Sequence, residues 1–239
     1  GRHLGHYHAL FRPPLIKGDD EARQTFEDKQ NEILRIHTRM MKLALKHTHV
    51  YKRWRNIMTL MIEKQPGTPL IHRLRVIHLY EMEVNFILAV YTRKMDLTCE
   101  ENNLIHDGVY GNRPGKRCHD PVLVDITQTE YSMVTRTPIV KDNLDLSACF
   151  DRIMAHLSMI VSQAYGMPLV FKFFFGLLLH LAVYSIKTAK GVTENAYTRK
   201  ENQWIDGSGQ GSAYSGSGWG KTVSTLAQIL ESRATMTPY

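Results

Sequence analysis

The sequence holds only three cysteines, Cys99, Cys118 and Cys149, far apart and odd in number, which excludes a disulfide framework. They form neither a C-x-x-C pair nor a zinc-ligand grouping, so a reduced, intracellular setting is the expectation. No apolar run reaches the roughly 20 residues that a bilayer-spanning helix needs. The longest, LVFKFFFGLLLHLAVY (169–184), is interrupted by Lys172 and His180 and reads as a buried helix, with no membrane expected as a partner. No secretory leader pattern is present, and the first residue is Gly1 rather than Met, so the chain is expected to be a portion of a longer frame. Internal repeats are lacking too, and no Asp or Glu follows Glu231.

What is present is an ordinary globular composition, 43% hydrophobic and 22% charged over 239 residues, with a net charge of +7. The excess is uneven. Residues 1–64 carry 13 Lys/Arg against 7 Asp/Glu, which places +6 of the total in the first quarter. Such a patch concentrates polyanions, so nucleic acid or an anionic membrane surface is the natural partner.

Residues 1–18, rich in His, Pro and Gly, read as an arm. From Asp19 through Trp54 the spacing of Ile33, Ile36, Met40, Leu43 and Val50 predicts a long basic helix, either an ordinary solvated one or one lying along a nucleic-acid backbone. Residues 56–64 and 70–79, on either side of a Pro/Gly turn, predict a β-hairpin. Helical spacing resumes at Val84, Ile87, Leu88 and Tyr91, and residues 107–120 are turn-rich. Pro138 and the apolar residues around it predict a strand over 134–146, followed by one helix ending near Gly166. Pro168 suits the first turn of a further helix running to about Lys190. Residues 191–212 read as strands and loop, and 221–233 as a closing helix. The fold class expected is α+β.

Two stretches carry chemistry. In NLDLSACFDRI (143–153), Asp145 ends the predicted strand, and Phe150 and Asp151 follow as a helix begins. A carboxylate held at a strand end suits the two-metal chemistry of nucleotidyl transfer, whereas the plain alternative is a helix N-cap. In GSGQGSAYSGSGWG (207–220), six glycines and four serines suit a flexible linker. Against that, Gln210, Tyr214 and Trp219 are embedded in it and a helical apolar face begins at once, as in a loop lying close against a ligand.

These motifs resemble those of the reverse transcriptases of non-LTR retrotransposons and group II introns, over about Trp54 to Leu230. NLDLSACFDRI is similar to the first palm motif, and GQGS to the Gln-Gly-Ser core of the next, in family order and some 60 residues apart. Upstream, LRVIHLYEMEVNFILA resembles the fingers strand and helix, and VYGNRPGKRCHD the loop that follows them. The resemblance implies a right-hand polymerase portion, helix-rich with a fingers β-hairpin and a short antiparallel palm sheet. Residues 1–55 would be the basic arm and helix, 56–120 the fingers and 121–239 a partial palm.

It further implies that Asp145 and the carbonyl of Leu146 hold Mg²⁺ or Mn²⁺, with Asp145 catalytic. Phe150 would lie against the sugar of a deoxynucleoside triphosphate and collide with a 2′-hydroxyl. Lys64 and Arg75 would reach the triphosphate, and Gln210 would lie beside the nucleotide. Arg113, Lys116, Arg117, Gly211 and Ser212 would contact the template, the partners being an RNA template and a DNA primer. Phe150 as a core residue, Lys64 as a solvated turn lysine, and Arg113, Lys116 and Arg117 as exposed loop charges remain open.

The sequence departs from the family at Val76, where proline is usual, and at Ala213 and Gly216, where prolines normally follow Gln-Gly-Ser. The family's aromatic-x-Asp-Asp hairpin is not found before Tyr239, so a truncated chain, inactive by itself, is expected. Two other readings stay in view. One is a non-catalytic nucleic-acid-binding protein derived from such an enzyme and using the basic helix, and the other is a membrane-surface protein.

Overall fold

The computed structural model describes residues 20–67, 70, 73–141, 149–188, 191–198 and 207–235. It is a helix-rich α+β arrangement around one small mixed sheet. Helix α1 spans Asp20–Lys46 and a 3₁₀ turn Lys52–Arg55 follows. The predicted basic helix therefore stops short of Trp54. Thr48 adopts φ 48°, and the N–H of His49 turns back to the Ala44 carbonyl at 2.7 Å, closing the helix where β-branched residues begin.

The predicted hairpin is present as β1, Asn56–Glu63, and β2, Leu74–Leu79. They pair antiparallel from Met58 with Leu79 to Glu63 with Leu74. The turn is closed by the Lys64 N–H on the Arg73 carbonyl (3.2 Å) and by the Gly67 N–H on the Glu63 carboxylate (2.9 Å). Helices α2, Met82–Glu101, and α3, His119–Thr135, come next. The strand expected over 134–146 does not form in its described part. Residues 134–135 finish α3, Arg136 caps it at φ 54°, and residues 137–141 are irregular. Pro138 forbids helix only from its own neighbourhood onward, so α3 runs until just before it.

The single helix expected to end at Gly166 is two helices, α4, Cys149–Arg152, and α5, Ala155–Ala164. Between them Met154 is extended (ψ 106°), which frees the Ile153 carbonyl for a bond described below. Helix α6, Leu169–His180, starts after Pro168 as expected but stops ten residues short of Lys190. Val183–Thr188 form strand β3, parallel to β1 from Asn56 with Val183 to Leu60 with Lys187. Val183, Tyr184 and Ile186 are β-branched or aromatic, and the uncovered edge of β1 supplies the ladder that ends the helix. Short strands β4, Gly191–Val192, and β5, Tyr197–Thr198, pair antiparallel with β3. The order is β2-β1-β3-β4; the central pair is parallel, where a short antiparallel palm sheet beside the fingers hairpin was expected.

Helix α7, Ser215–Thr235, begins six residues earlier than its apolar pattern suggested. Gly216 is tolerated inside it because a Cβ there would press on the Asn112 side chain at 3.0 Å, so closeness to the 106–117 turn replaces side-chain packing.

The core follows from α6. Phe171, Phe174, Phe175, Leu178 and Leu179 recur at helical spacing and are all buried, as the sequence predicted. Phe171 stacks on Tyr91 of α2 with ring centres 5.0 Å apart, and Phe174 meets the edge of Trp54 at 6.1 Å. Ile57, Val84, Leu88 and Tyr214 belong to the same cluster. No helix among the described residues is long and apolar enough to cross a membrane. Residue 145, on which the metal expectation rests, lies outside the described residues, as does Leu146.

Candidate functional site

The glycine-rich loop 207–212 is a packed element. The Gly207 N–H donates to the Ile153 carbonyl at 2.8 Å and the Ser208 N–H to the Phe150 carbonyl at 3.0 Å, using acceptors released by the break between α4 and α5. On the other side the His78 N–H of β2 donates to the Gln210 carbonyl at 2.7 Å, and the Ala213 N–H donates to the Asn85 side chain at 2.8 Å. The Ser215 hydroxyl bonds to the carbonyls of Ser208 (2.8 Å) and Gly209 (2.7 Å), bracing the loop onto the first turn of α7. These six hydrogen bonds leave the loop little of a linker's freedom, and so close a fit requires glycine. Gly209 and Gly211 have φ 73° and 119°, and a Cβ on either would run into the Tyr80 hydroxyl or the His78 carbonyl, respectively.

Around this loop the structure brings together Phe150, Gln210, Gly211 and Ser212. Phe150 is half-buried, its ring centre 6.4 Å from that of Trp219, and Gln210 is half-buried. Lys64 and Arg75 lie along the hairpin, both exposed. Arg75 is three residues, about 10 Å, from His78 along β2. Strand alternation puts it opposite Ile62, on the other face from His78 and Tyr80. Arg113, Lys116 and Arg117 occupy the turn beside α7. Lys116 and Arg117 are exposed, with the Lys116 ammonium 5.6 Å from the Tyr110 ring centre.

Sequence reasoning did not single out His78 or Tyr80, and named Asp151 only as part of the 143–153 motif. Burial lowers the His78 pKa, and the nearby Asp151 carboxylate partly opposes that. His78 Nδ1, the Tyr80 hydroxyl and the Ser208 hydroxyl are buried without a hydrogen-bond partner among the described residues, all along the seam between β2 and the loop. Burial also pushes the Tyr80 phenol up. The signal available in sequence was slight, since histidine within a strand is unremarkable.

The depressed His78 pKa makes a pH prediction. The folded chain binds this proton less readily than the unfolded one, so the stability from neutral His78 is complete above the ordinary value of 6.5 and is lost as pH falls from there toward the folded value. The melting temperature is expected to fall further between pH 7.5 and 5.5 for the native chain than for His78→Gln. Equal falls would remove His78 as the cause.

For Mg²⁺ or Mn²⁺, the carboxylate recorded beside His78 is Asp151, and no group of three or more His, Cys, Asp or Glu able to hold a metal occurs among the described residues. One carboxylate falls short of the oxygen set magnesium requires. The described residues therefore do not by themselves fit the ion. No protein-family model matches the chain, and no curated protein matches it.

Proposed function

We propose that the chain is part of an RNA-directed DNA polymerase of a mobile retroelement, related to those of non-LTR retrotransposons and group II introns. The observation that carries this reading is the convergence on one loop. Phe150 and Ile153 bind it from one side and His78 of the hairpin from the other, so the two resembling palm motifs and the resembling fingers strand meet at 207–212. Three stretches more than 50 residues apart in sequence have no local reason to do so.

In this reading Phe150 packs against the sugar of the incoming deoxynucleotide and its bulk excludes a 2′-hydroxyl. Gln210, held by its own carbonyl on β2, presents its amide to the nucleotide, and Gly211 lets the backbone lie close. Lys64 and Arg75 supply positive charge for the triphosphate, where cationic donors counter the charge that grows on the leaving pyrophosphate. Lys116 and Arg117 meet template phosphates. Asp145 and the Leu146 carbonyl, both outside the described residues, would hold Mg²⁺ or Mn²⁺.

The test is binding rather than turnover. Quenching of Trp219 fluorescence on titration with dTTP and with ribothymidine triphosphate, which differs from it only by the 2′-hydroxyl, reads the sugar preference, because Trp219 neighbours Phe150. A steric gate of this kind is worth about 1–3 kcal/mol, or roughly 10–200-fold. The native chain is expected to prefer dTTP within that range, and Phe150→Val to reduce the preference to about twofold. Equal affinity of the native chain for both nucleotides would overturn the reading.

A second reading, a non-catalytic nucleic-acid-binding protein, is favoured by the exposure of Arg39, Lys42 and Lys46 on α1. It predicts RNA binding with no nucleotide preference and no effect of Asp145→Asn.

A further inference from the structure

Arg113 differs from the two cations that follow it. Its Nε and Nη2 donate to the two carboxylate oxygens of Glu100, both at 2.8 Å, and its Nη1 donates to the carbonyls of His106 (3.2 Å) and Val109 (3.0 Å). Its side chain is 10% exposed. These bonds hold Glu100 below the usual carboxylate range and raise Arg113 further. A template phosphate would meet a guanidinium whose donors are engaged and whose neighbour is an anion.

Next to this pair lies a second one. Lys221 of α7 is 2% exposed, and its ammonium donates to Asp96 of α2 at 2.5 Å and to the Ser217 hydroxyl at 2.7 Å. Asp96, Glu100, Arg113, Ser217 and Lys221 line one cavity of about 20 Å³, room for a single water. The two ion pairs therefore form one polar junction between α2, the 106–117 turn and α7.

That junction sets the direction of the turn. The His106 N–H bonds to the Ser224 hydroxyl at 2.8 Å, Gly111 lies against Gly220, and Asn112 lies against Gly216. As residue number rises along the turn, it falls along α7, over about 12 Å from Ser224 to Gly216. The chain reverses just past Arg113, where the Lys116 N–H bonds to the Arg113 carbonyl at 3.4 Å and Gly115 takes φ 75°, so Lys116 and Arg117 stand exposed directly after the locked residue.

Resting on the polymerase reading above, we infer that Arg113 is a positioning residue. Locked to Glu100 and backed by Lys221 and Asp96, it aims the turn so that Lys116 and Arg117 grip nucleic-acid phosphate while Arg113 touches none. Phosphate contacts release counterions, so each one steepens the dependence of affinity on salt, by about 0.7 in log–log slope for a single strand. A positioning residue leaves that slope alone.

The experiment measures anisotropy of a labelled single-stranded RNA with the full chain from 50 to 200 mM salt, well below each variant's melting temperature. Lys116→Gln and Arg117→Gln are each expected to flatten the slope by about 0.7. Arg113→Gln is expected to lower affinity severalfold at unchanged slope. The decisive variant is Glu100→Gln, which removes a negative charge. If Arg113 were a phosphate ligand, freeing it would raise affinity, whereas a positioning role predicts the same loss as Arg113→Gln. A flattened slope in Arg113→Gln, a gain in Glu100→Gln, or no change in either overturns the inference and leaves the polymerase reading standing. Failure of the native chain to bind RNA in a salt-dependent way overturns both.

Discussion

Glu83→Ala is expected to cost about 3–5 kcal/mol of stability, the usual result of removing one partner from a buried charged pair. Glu83 is 3% exposed and accepts the indole N–H of the fully buried Trp54 at 2.8 Å. It also pairs with the Arg53 guanidinium, and His37 of α1 stands 3.8 Å from its other oxygen. One carboxylate thus ties α1, the 3₁₀ turn and the start of α2 together. Alanine there leaves a buried indole N–H and a partly buried guanidinium without their acceptor, and alanine also opens a void beneath Trp54. At about 2–4 °C per kcal/mol for a chain of this size, the melting temperature should fall by roughly 6–20 °C. Glu83→Gln keeps an acceptor for Trp54 and loses only the charge, so a smaller loss of about 1–3 kcal/mol is expected. A fall of less than 2 °C in thermal melts of Glu83→Ala would show that solvent replaces the carboxylate at little cost.

Gly211→Ala is expected to displace the 207–212 loop and to weaken nucleotide binding by tenfold or more, while costing about 1–3 kcal/mol in stability. The added Cβ would meet the backbone carbonyl of His78, which is fixed in the β1–β2 ladder, and φ at this position is 119°. Neither partner can give way. Gly209→Ala provides the contrast, since its Cβ would meet the Tyr80 hydroxyl, the end of a side chain. That hydroxyl has no hydrogen-bond partner among the described residues, so Tyr80→Phe should be nearly neutral alone and should recover part of the Gly209→Ala loss. Titration with dTTP checks both, and unaltered binding by Gly211→Ala would mean that the loop's seat on β2 has no part in the site.

Local patterns were enough for several elements. The two β-prone stretches around a Pro/Gly turn gave the hairpin, and the apolar run from Leu169 gave α6 as a buried helix. Gly166, at φ 93°, ends the segment it was expected to end. Residues 183–188 show the limit. Their apolar character continues that of α6 without a break, and only pairing with β1, more than 120 residues earlier, makes them a strand. The expected strand over 134–146 erred in the opposite direction in its described part, 134–141, because β-prone residues have strand structure only where a partner edge is available.

The site divides in the same way. Phe150 and Gln210 to Ser212 were named in the sequence through their likeness to the family motifs, and the fold gathers them around one loop. His78 and Glu100 sit in ordinary strand and helix patterns, and nothing local marks one as a neighbour of Asp151 or the other as the anchor of Arg113. Periodicity, glycine and charge balance act within a few residues of themselves, so the sequence by itself determined the hairpin, the buried helix α6 and the basic charge of the first quarter. Strand partnership, the seat of the 207–212 loop and the engagement of Arg113 depend on groups brought close only when the chain closes on itself, and those the tertiary structure decided.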